Sequence, residues 1–307
     1  MTTKIEWTDE TWNPVTGCTK VSQGCKNCYA ERIWPKVEAA QRMREHWDWQ
    51  KAPKRAFTEV RMHPNRLDAP LHWKRPRRIF VNSMSDLFHE DVTPLFIGSV
   101  LGIAAACAQH TFQVLTKRPQ RMLEVLASEA FLMAFEESAD MYTDTTHFTW
   151  PVDNVWLGVS VEDQATADER IPLLLQTPAA VRFISAEPLL EPIDCTKWFF
   201  DASEFAYGTA PAGLDWVIAG GESGPNARPS NPGWFRSLRD QCANAGVPFF
   251  FKQWGELMPV CELKDAPKEN VPPKLMFYPS AEYCFEKVGK KAAGRQLDGR
   301  THEEYPA

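Results

Sequence analysis

The sequence predicts an α/β fold: a full or partial (β/α) barrel of parallel strands with a cysteine loop near the N-terminus. Three observations carry this expectation. Short β-rich apolar runs alternate with helix-like stretches, the pattern that builds parallel sheets. The repeats outnumber what a small open sheet needs. Polar residues gather just after each apolar run, where a parallel barrel places its sites. A doubly wound sheet is the alternative arrangement.

The elements follow in order. A first strand is expected near Trp12–Val15. Further strands are expected at Arg78–Asn82, Thr111–Thr116, Val155–Ser160, Val181–Ser185, Asp215–Ala219 and Val247–Phe251. Helices are expected over Thr93–Ala108, which opens with Thr-Pro, and over Pro119–Ala127, Gln164–Leu175 and Pro232–Ala245. Gly246 reads as the C-cap of the last. The strand exits read Asn82-Ser-Met-Ser-Asp86, Thr116-Lys-Arg118, Ser160-Val-Glu-Asp163, Ser185-Ala-Glu187, Gly220-Gly-Glu-Ser-Gly224 and Lys252-Gln-Trp254. We expect one barrel domain over residues 1–260, with insertions near 40–75, 128–154 and 196–214, and a C-terminal extension over 261–307. The basic stretch Gly289–Arg295 reads as a flexible end.

Composition narrows the classes. The 307 residues are 44% hydrophobic and 24% charged, which excludes a disordered or fibrous chain. No apolar run approaches a membrane span, and the N-terminus lacks the apolar core of a secretory signal, so a cytoplasmic protein is expected. The net charge is −6, yet Lys51–Arg78 holds nine Lys and Arg against Glu59 and Asp68. With Phe57 and Trp73 interleaved, this segment suits phosphate tracking and base stacking; the candidate nucleic-acid contacts are Lys54, Arg55, Arg61, Trp73, Lys74, Arg75, Arg77 and Arg78.

Eight cysteines in a chain of cytosolic character point to metal or catalysis rather than disulfides. Cys18, Cys25 and Cys28 form Cys-x6-Cys-x2-Cys, with Gly17 and Gly24 allowing tight turns. A structural zinc wants four ligands, and the next His or Cys in sequence are His46 and His63. A distant residue folding back could complete a zinc loop, and three unconnected thiols are a further alternative. Three thiolates on a [4Fe–4S] cluster leave one iron open to a small molecule with an amine and a carboxylate, such as S-adenosylmethionine (SAM). The other cysteines, Cys107, Cys195, Cys242, Cys261 and Cys284, read as structural, and the histidines show no metal-pair spacing.

This loop, with Tyr29 beside its last cysteine and a run of βα units after it, resembles the radical SAM superfamily. More closely, the chain resembles a phage-encoded three-Cys-motif family of unknown function. The phrases that carry the likeness are Trp12-Asn-Pro-Val-Thr-Gly-Cys18, Gly24-Cys-Lys-Asn-Cys-Tyr-Ala30, Leu115-Thr-Lys-Arg-Pro119, Ser185-Ala-Glu-Pro188 and Gly220-Gly-Glu-Ser-Gly224. The spacing departs from the superfamily's usual Cys-x3-Cys-x2-Cys, and Gly-Gly-Glu follows the sixth strand rather than the second.

The resemblance implies a [4Fe–4S] cluster on Cys18, Cys25 and Cys28, SAM as co-substrate, and an electron donor of flavodoxin or ferredoxin type. It implies SAM contacts from Ser83, Ser85 and Asp86, from Lys117 and Arg118 toward the carboxylate, from Ser160 and Glu162 toward the ribose, and from Glu187 and Glu222. The expected activity is hydrogen abstraction from a nucleic acid or nucleotide, for modification or repair, in the cytoplasm of a bacterial host. The competing expectation is a zinc-stabilised, non-catalytic nucleic-acid-binding phage protein.

Overall fold

Seven strands make the main sheet: β1 (Glu10–Trp12), β2 (Arg78–Val81), β3 (Thr111–Thr116), β4 (Val155–Val161), β5 (Val181–Ala186), β6 (Trp216–Gly220) and β7 (Phe249–Gln253). The structure is a computed structural model that describes residues 3, 5–45, 47–143, 148–199, 212–260, 275–279 and 283–307. His46, His147, Cys261 and the central part of the 196–214 insertion lie outside the described residues. The sheet order is β1-β2-β3-β4-β5-β6-β7, so each strand lies beside the next one in the chain. A doubly wound sheet reverses its order at a switch point, and this one does not. The fold is the partial (β/α) barrel that the sequence predicts. Every residue of β4 and of β6 is buried, as expected of parallel strands covered on both faces.

The connecting helices are α1 (Tyr29–Glu45), α2 (Pro94–Ala106), α3 (Pro119–Leu126), α4 (Glu129–Asp140), α5 (Gln164–Gln176) and α6 (Pro232–Ala245). Their starts are chemically marked. Thr93 caps α2 by accepting from the Phe96 N–H, and Asn231 caps α6 by accepting from the Gly233 N–H. Gly246 ends α6 in the left-handed region at φ +68°. By internal contacts the chain forms two compact units, residues 1–157 with 177–180, and residues 158–176 with 181–307.

Within the first unit, two helices stand where the sequence reading expected none. In α1 the buried positions are Ala30, Trp34, Glu38 and Arg42, a strict i, i+4 series in which the last two are charged. Arg42 donates to Glu38 at 2.9 Å, so an ion pair takes the place of an apolar contact and hides the period. In α4, part of the expected 128–154 insertion, Phe131, Ala134, Phe135 and Ala139 are buried behind an acidic outer face. They pack on Gly98 and Gly102 of α2.

Within the second unit, a three-stranded antiparallel sheet forms from β8 (Leu257–Pro259), β9 (Leu275–Tyr278) and β10 (Tyr283–Lys287), in the order β8-β10-β9. Gly289–Arg295 is not a loose end. It contains α7 (Lys290–Ala293), with Ala293 buried, and the Gly294 carbonyl accepts from the Trp254 N–H at 3.2 Å. The chain then runs beside β7: Phe251 N–H donates to His302 O at 3.1 Å, and Phe250 bridges Glu303.

The α2–α4 contact can be tested. A Cβ at Gly98 would stand 2.6 Å from the Phe131 carbonyl oxygen and 2.8 Å from the Ala134 Cβ. Alanine favours a helix over glycine by about 1 kcal/mol, whereas overpacking costs about 1–3 kcal/mol. Because one obstacle is backbone, the second effect wins. Gly98→Ala should lower the thermal midpoint, by roughly 2–4 °C per kcal/mol. A raised midpoint in a thermal melt would show that the helices part without cost.

Candidate functional site

The chain leaves β1 and enters a tight passage before the first cysteine. Val15–Thr16 pairs antiparallel with Arg61–Met62. Gly17 follows at φ +93°, and a Cβ there would lie 2.5 Å from the Glu59 carbonyl oxygen. Only glycine fits. On one side Cys18 N–H donates to Phe57 O at 2.9 Å; on the other, Gly17 N–H donates to Met84 O at 3.1 Å. The loop is therefore gripped between residues 57–59 and the exit of β2.

The β2 exit is occupied with that grip. Ser83 Oγ donates to Asn13 Oδ1 at 3.1 Å, and Ser85 Oγ donates to the Gly17 carbonyl at 2.8 Å. Asn82 takes φ +62°, and its Oδ1 accepts from Val15 N–H at 3.1 Å. Tyr29 Oη, from the start of α1, donates to Ser83 O at 2.7 Å. The serines expected at SAM thus fasten the loop.

All three thiols are half-buried and unbonded to one another. Cys25 closes a 3-10 turn over Gln23–Cys25. Cys28 stands just before α1, where the N–H groups of Ala30 and Glu31 point at its sulfur and favour the thiolate. Burial opposes them and holds the Cys28 thiol above its ordinary value. Burial pushes Cys18 up to about 11, with Asp86 adding to the rise and Arg118 opposing it. Cys25 raises the pKa of both Cys18 and Cys28, so the three sulfurs share one electrostatic neighbourhood.

Arg118, at the exit of β3, is the hub. Its side chain is only 5% exposed. Nη1 donates to Asp86 Oδ2 at 3.2 Å and to Cys18 Sγ at 3.7 Å. Nη2 donates to the Thr19 carbonyl at 3.2 Å and to Thr19 Oγ1 at 2.9 Å. Nε donates to Glu90 at 3.0 Å. Every N–H of the guanidinium is spent on the protein. Asp86 is equally committed: Oδ1 accepts from Phe88 N–H and Thr116 Oγ1, and Oδ2 from Lys117 N–H and Arg118. His89, which sequence reasoning left without a role, is buried, and its Nδ1 accepts from Asp91 N–H at 3.1 Å. Its Nε2–H is thereby set to donate to Thr19 Oγ1 at 2.9 Å. A lone histidine carries no spacing signal, so only the fold could reveal it.

The second unit places the remaining candidates. Ser160 is buried, and its carbonyl accepts from Arg170 Nη1 at 2.7 Å. Glu162 is fully buried in an ion pair with the same Arg170 at 3.2 Å. Glu187 accepts from Ser185 Oγ and Lys252 Nζ, each at 3.0 Å. Gly220 makes room for it, since a Cβ there would stand 2.5 Å from Glu187 Oε1. Glu222 is held by Arg228 through three N–H···O bonds, from the backbone N–H at 2.8 Å, Nε at 2.9 Å and Nη2 at 2.6 Å. Lys252 is the residue at these exits that role assignment by strand order passed over.

The basic segment splits in two. Arg77 pairs with Glu10 at 3.1 Å and Arg78 with Asp9 at 3.3 Å, where β1 and β2 begin. Trp73 lies under Arg77 at 5.3 Å and edge-on to His110. This group, with the exposed Lys74 and Arg75, lies at the opposite strand end from the cysteine loop. Lys54, Arg55 and Arg61 belong to the stretch that grips the loop. Arg55 lies over the Trp34 ring at 4.7 Å and donates to Thr16 Oγ1 at 2.8 Å. Thr16 in turn meets His63 Nε2 at 2.8 Å. Burial lowers the His63 pKa to about 4, with Arg66, Arg55 and Arg61 adding to the fall and Glu45, which pairs with Arg61 at 2.7 Å, opposing it.

A single zinc ion needs donors at about 2.0–2.3 Å from one centre. Among the described residues no three His, Cys, Asp or Glu side chains are grouped so as to hold a metal ion. A [4Fe–4S] cluster makes a different demand, with each thiolate on its own iron. By donor chemistry, three thiols on one clamped loop fit such a cluster and leave one iron open.

The clamp yields a prediction. Asp86→Asn keeps the shape but removes the charge facing a buried guanidinium, and breaking a buried pair costs about 3–5 kcal/mol. Denaturant unfolding should show a loss of that order. A loss below about 1 kcal/mol, the range of surface pairs, would show that Asp86 is not the partner that matters.

From residue 2 to residue 306 the sequence matches the family described as "Protein of unknown function (DUF5131)". No curated protein matches the sequence. Solved structures similar to the chain include a spore photoproduct lyase mutant, 11% identical at a TM-score of 0.41, covering 93% of this chain and 71% of that one. They also include spore photoproduct lyase complexed with dinucleoside spore photoproduct, 10% identical at a TM-score of 0.40, covering 89% of this chain and 66% of that one. Backbone likeness this loose fixes neither fold nor function. The family match spans nearly the whole sequence, and the chain belongs to the DUF5131 family of proteins of unknown function.

Proposed function

We propose that the chain is a radical SAM iron–sulfur enzyme, with a [4Fe–4S] cluster on Cys18, Cys25 and Cys28, acting on a nucleic acid or nucleotide. The observation that carries this reading is the cysteine loop: three half-buried thiols on eleven residues, clamped by Arg118 and Asp86. When bound, the cluster supplies the electron that cleaves the sulfonium bond of SAM to methionine and a 5′-deoxyadenosyl radical. An external donor of flavodoxin or ferredoxin type replaces that electron.

The chain's own residues do the rest. Ser85, Asn82 and Arg118 hold the loop's backbone, so the three sulfurs keep one arrangement. Cys28 has two backbone N–H groups to stabilise its thiolate, and Cys18 has Arg118. Ser83, Ser85 and Asp86 act on SAM through the backbone they fix, and Lys117, at the exit of β3, is tied to them by its N–H bond to Asp86. In the second unit, Glu187 keeps acceptor capacity beyond Ser185 and Lys252, which suits it to accept from a hydroxyl. Glu222 remains a secondary candidate, while Ser160 and Glu162 serve through the Arg170 network. The substrate reading rests on Lys54, Arg55 and Arg61, cations of the stretch that grips the loop.

Anaerobic reconstitution tests the enzyme. We expect about four irons and four sulfides per chain, and 5′-deoxyadenosine on adding SAM and dithionite. Cys18→Ala should lose the iron. One tight zinc per chain without SAM cleavage, or normal iron in Cys18→Ala, would overturn the assignment. The substrate reading has its own readout. Affinity for a fluorescent single-stranded oligonucleotide should fall steeply with salt, and Arg61→Gln should lower the slope of log affinity against log salt by about 0.7. Arg78→Gln, at the far strand end, should leave it unchanged. Equal effects at both positions would defeat the placement.

A further inference from the structure

Arg118 was expected to pair with a SAM carboxylate. The structure gives it different work. Its five N–H donors are divided among Cys18 Sγ, Asp86, Glu90 and two oxygens of Thr19. None is left for a ligand. Of these contacts, one reaches a sulfur that the proposed function makes an iron ligand. A guanidinium is always charged and donates through a rigid planar fork. At a thiolate ligand such a donor lowers the electron density on sulfur. Hydrogen bonds to the sulfurs and net local charge are among the terms that set iron–sulfur potentials.

The surroundings make the effect large. Arg118 and Asp86 are both more than nine-tenths buried, so water does little to screen the contact. The carboxylates that face the guanidinium are Asp86, buried beside it, and Glu90, whose side chain is 62% exposed. The positive charge is thus balanced from within the protein on one side and from the surface on the other. Asp86 orients the fork; Glu90 is the adjustable partner.

We propose that Arg118 is a positioning residue of the iron–sulfur site, whose N–H···S bond to Cys18 raises the cluster's reduction potential and makes the reduced form accessible to a protein electron donor. This rests on the cluster reading above. A reduced cluster carries one more negative charge, and a fixed cation at a ligand sulfur stabilises that state. Removing the cation makes the potential more negative; removing an opposing surface carboxylate makes it less negative. The two changes move the same quantity in opposite directions, which a scaffold role cannot do.

The experiment is a redox titration of the reconstituted full-length protein, followed by electron paramagnetic resonance, with iron counted in every sample. Arg118→Gln should shift the midpoint more negative by at least the tenfold change in equilibrium that corresponds to about 59 mV for one electron. Arg118→Lys, which keeps the charge and loses the fork, should fall between. Glu90→Gln changes an exposed side chain, leaves the fold intact, and should shift the midpoint less negative. If Arg118→Gln takes up no iron, the Arg118→Lys and Glu90→Gln midpoints decide. Midpoints equal to that of the unmodified protein in iron-replete variants would overturn the proposal and leave the cluster reading standing. An unmodified protein that assembles no cluster would overturn the reading itself.

Discussion

A buried charge pair that must be fully bonded is the constraint on which the first unit turns. Taking a guanidinium and a carboxylate out of water costs several kcal/mol per ion. The cost is offset only where geometry is good and no lone pair or proton is left over. Arg118 and Asp86 meet that condition by recruiting everything nearby: the Thr19 hydroxyl and carbonyl, the Thr116 hydroxyl, the Phe88 and Lys117 backbone N–H groups and Glu90. The recruits come from the exits of β2 and β3 and from the cysteine loop. Satisfying the pair therefore assembles the site. Moving the loop would leave two N–H groups of a buried guanidinium without Thr19 as acceptor.

The same logic explains why residues at strand exits changed roles between sequence and structure. Polar side chains at the ends of parallel strands are good candidates for ligands, since exits are where barrels put their chemistry. An exit must also hold a long loop in place, however, and that task consumes donors and acceptors. Ser83 and Ser85 are used up on Asn13 and Gly17, and Glu162 on Arg170. Glu187 is the exit acid with oxygen capacity to spare.

Much of the fold could be read in advance. Continuous apolar runs such as Val155–Val161 announce strands covered on both faces, and Thr-Pro and Asn-Pro announce the starts of α2 and α6. Two helices escaped for a physical reason. In α1, Glu38 and Arg42 occupy buried positions as an ion pair, so the apolar stripe is broken where the helix is most buried. In α4, four inward apolar residues are outvoted by the acidic outer face. The three cysteines were legible as a unit because spacing alone groups them. His89 and the saturation of Arg118 were not, because both depend on residues about 70 to 100 positions away in the chain. The basic segment reads as one charge run. The strand β2 within its reach sends Arg77 and Arg78 to one end of the sheet and leaves Arg55 and Arg61 at the other.

The strip of chain from His302 to Glu304 lies along β7, which closes one side of the main sheet. An uncovered edge strand offers its amides to any other extended chain. Here Phe249, Phe250 and Phe251, three consecutive aromatic residues, would form such an edge. The strip that shields them follows them by about fifty residues in the chain, and so is made after them during synthesis. Until it arrives, the nascent protein presents a sticky ribbon, and the closing residues act as a built-in guard against self-association.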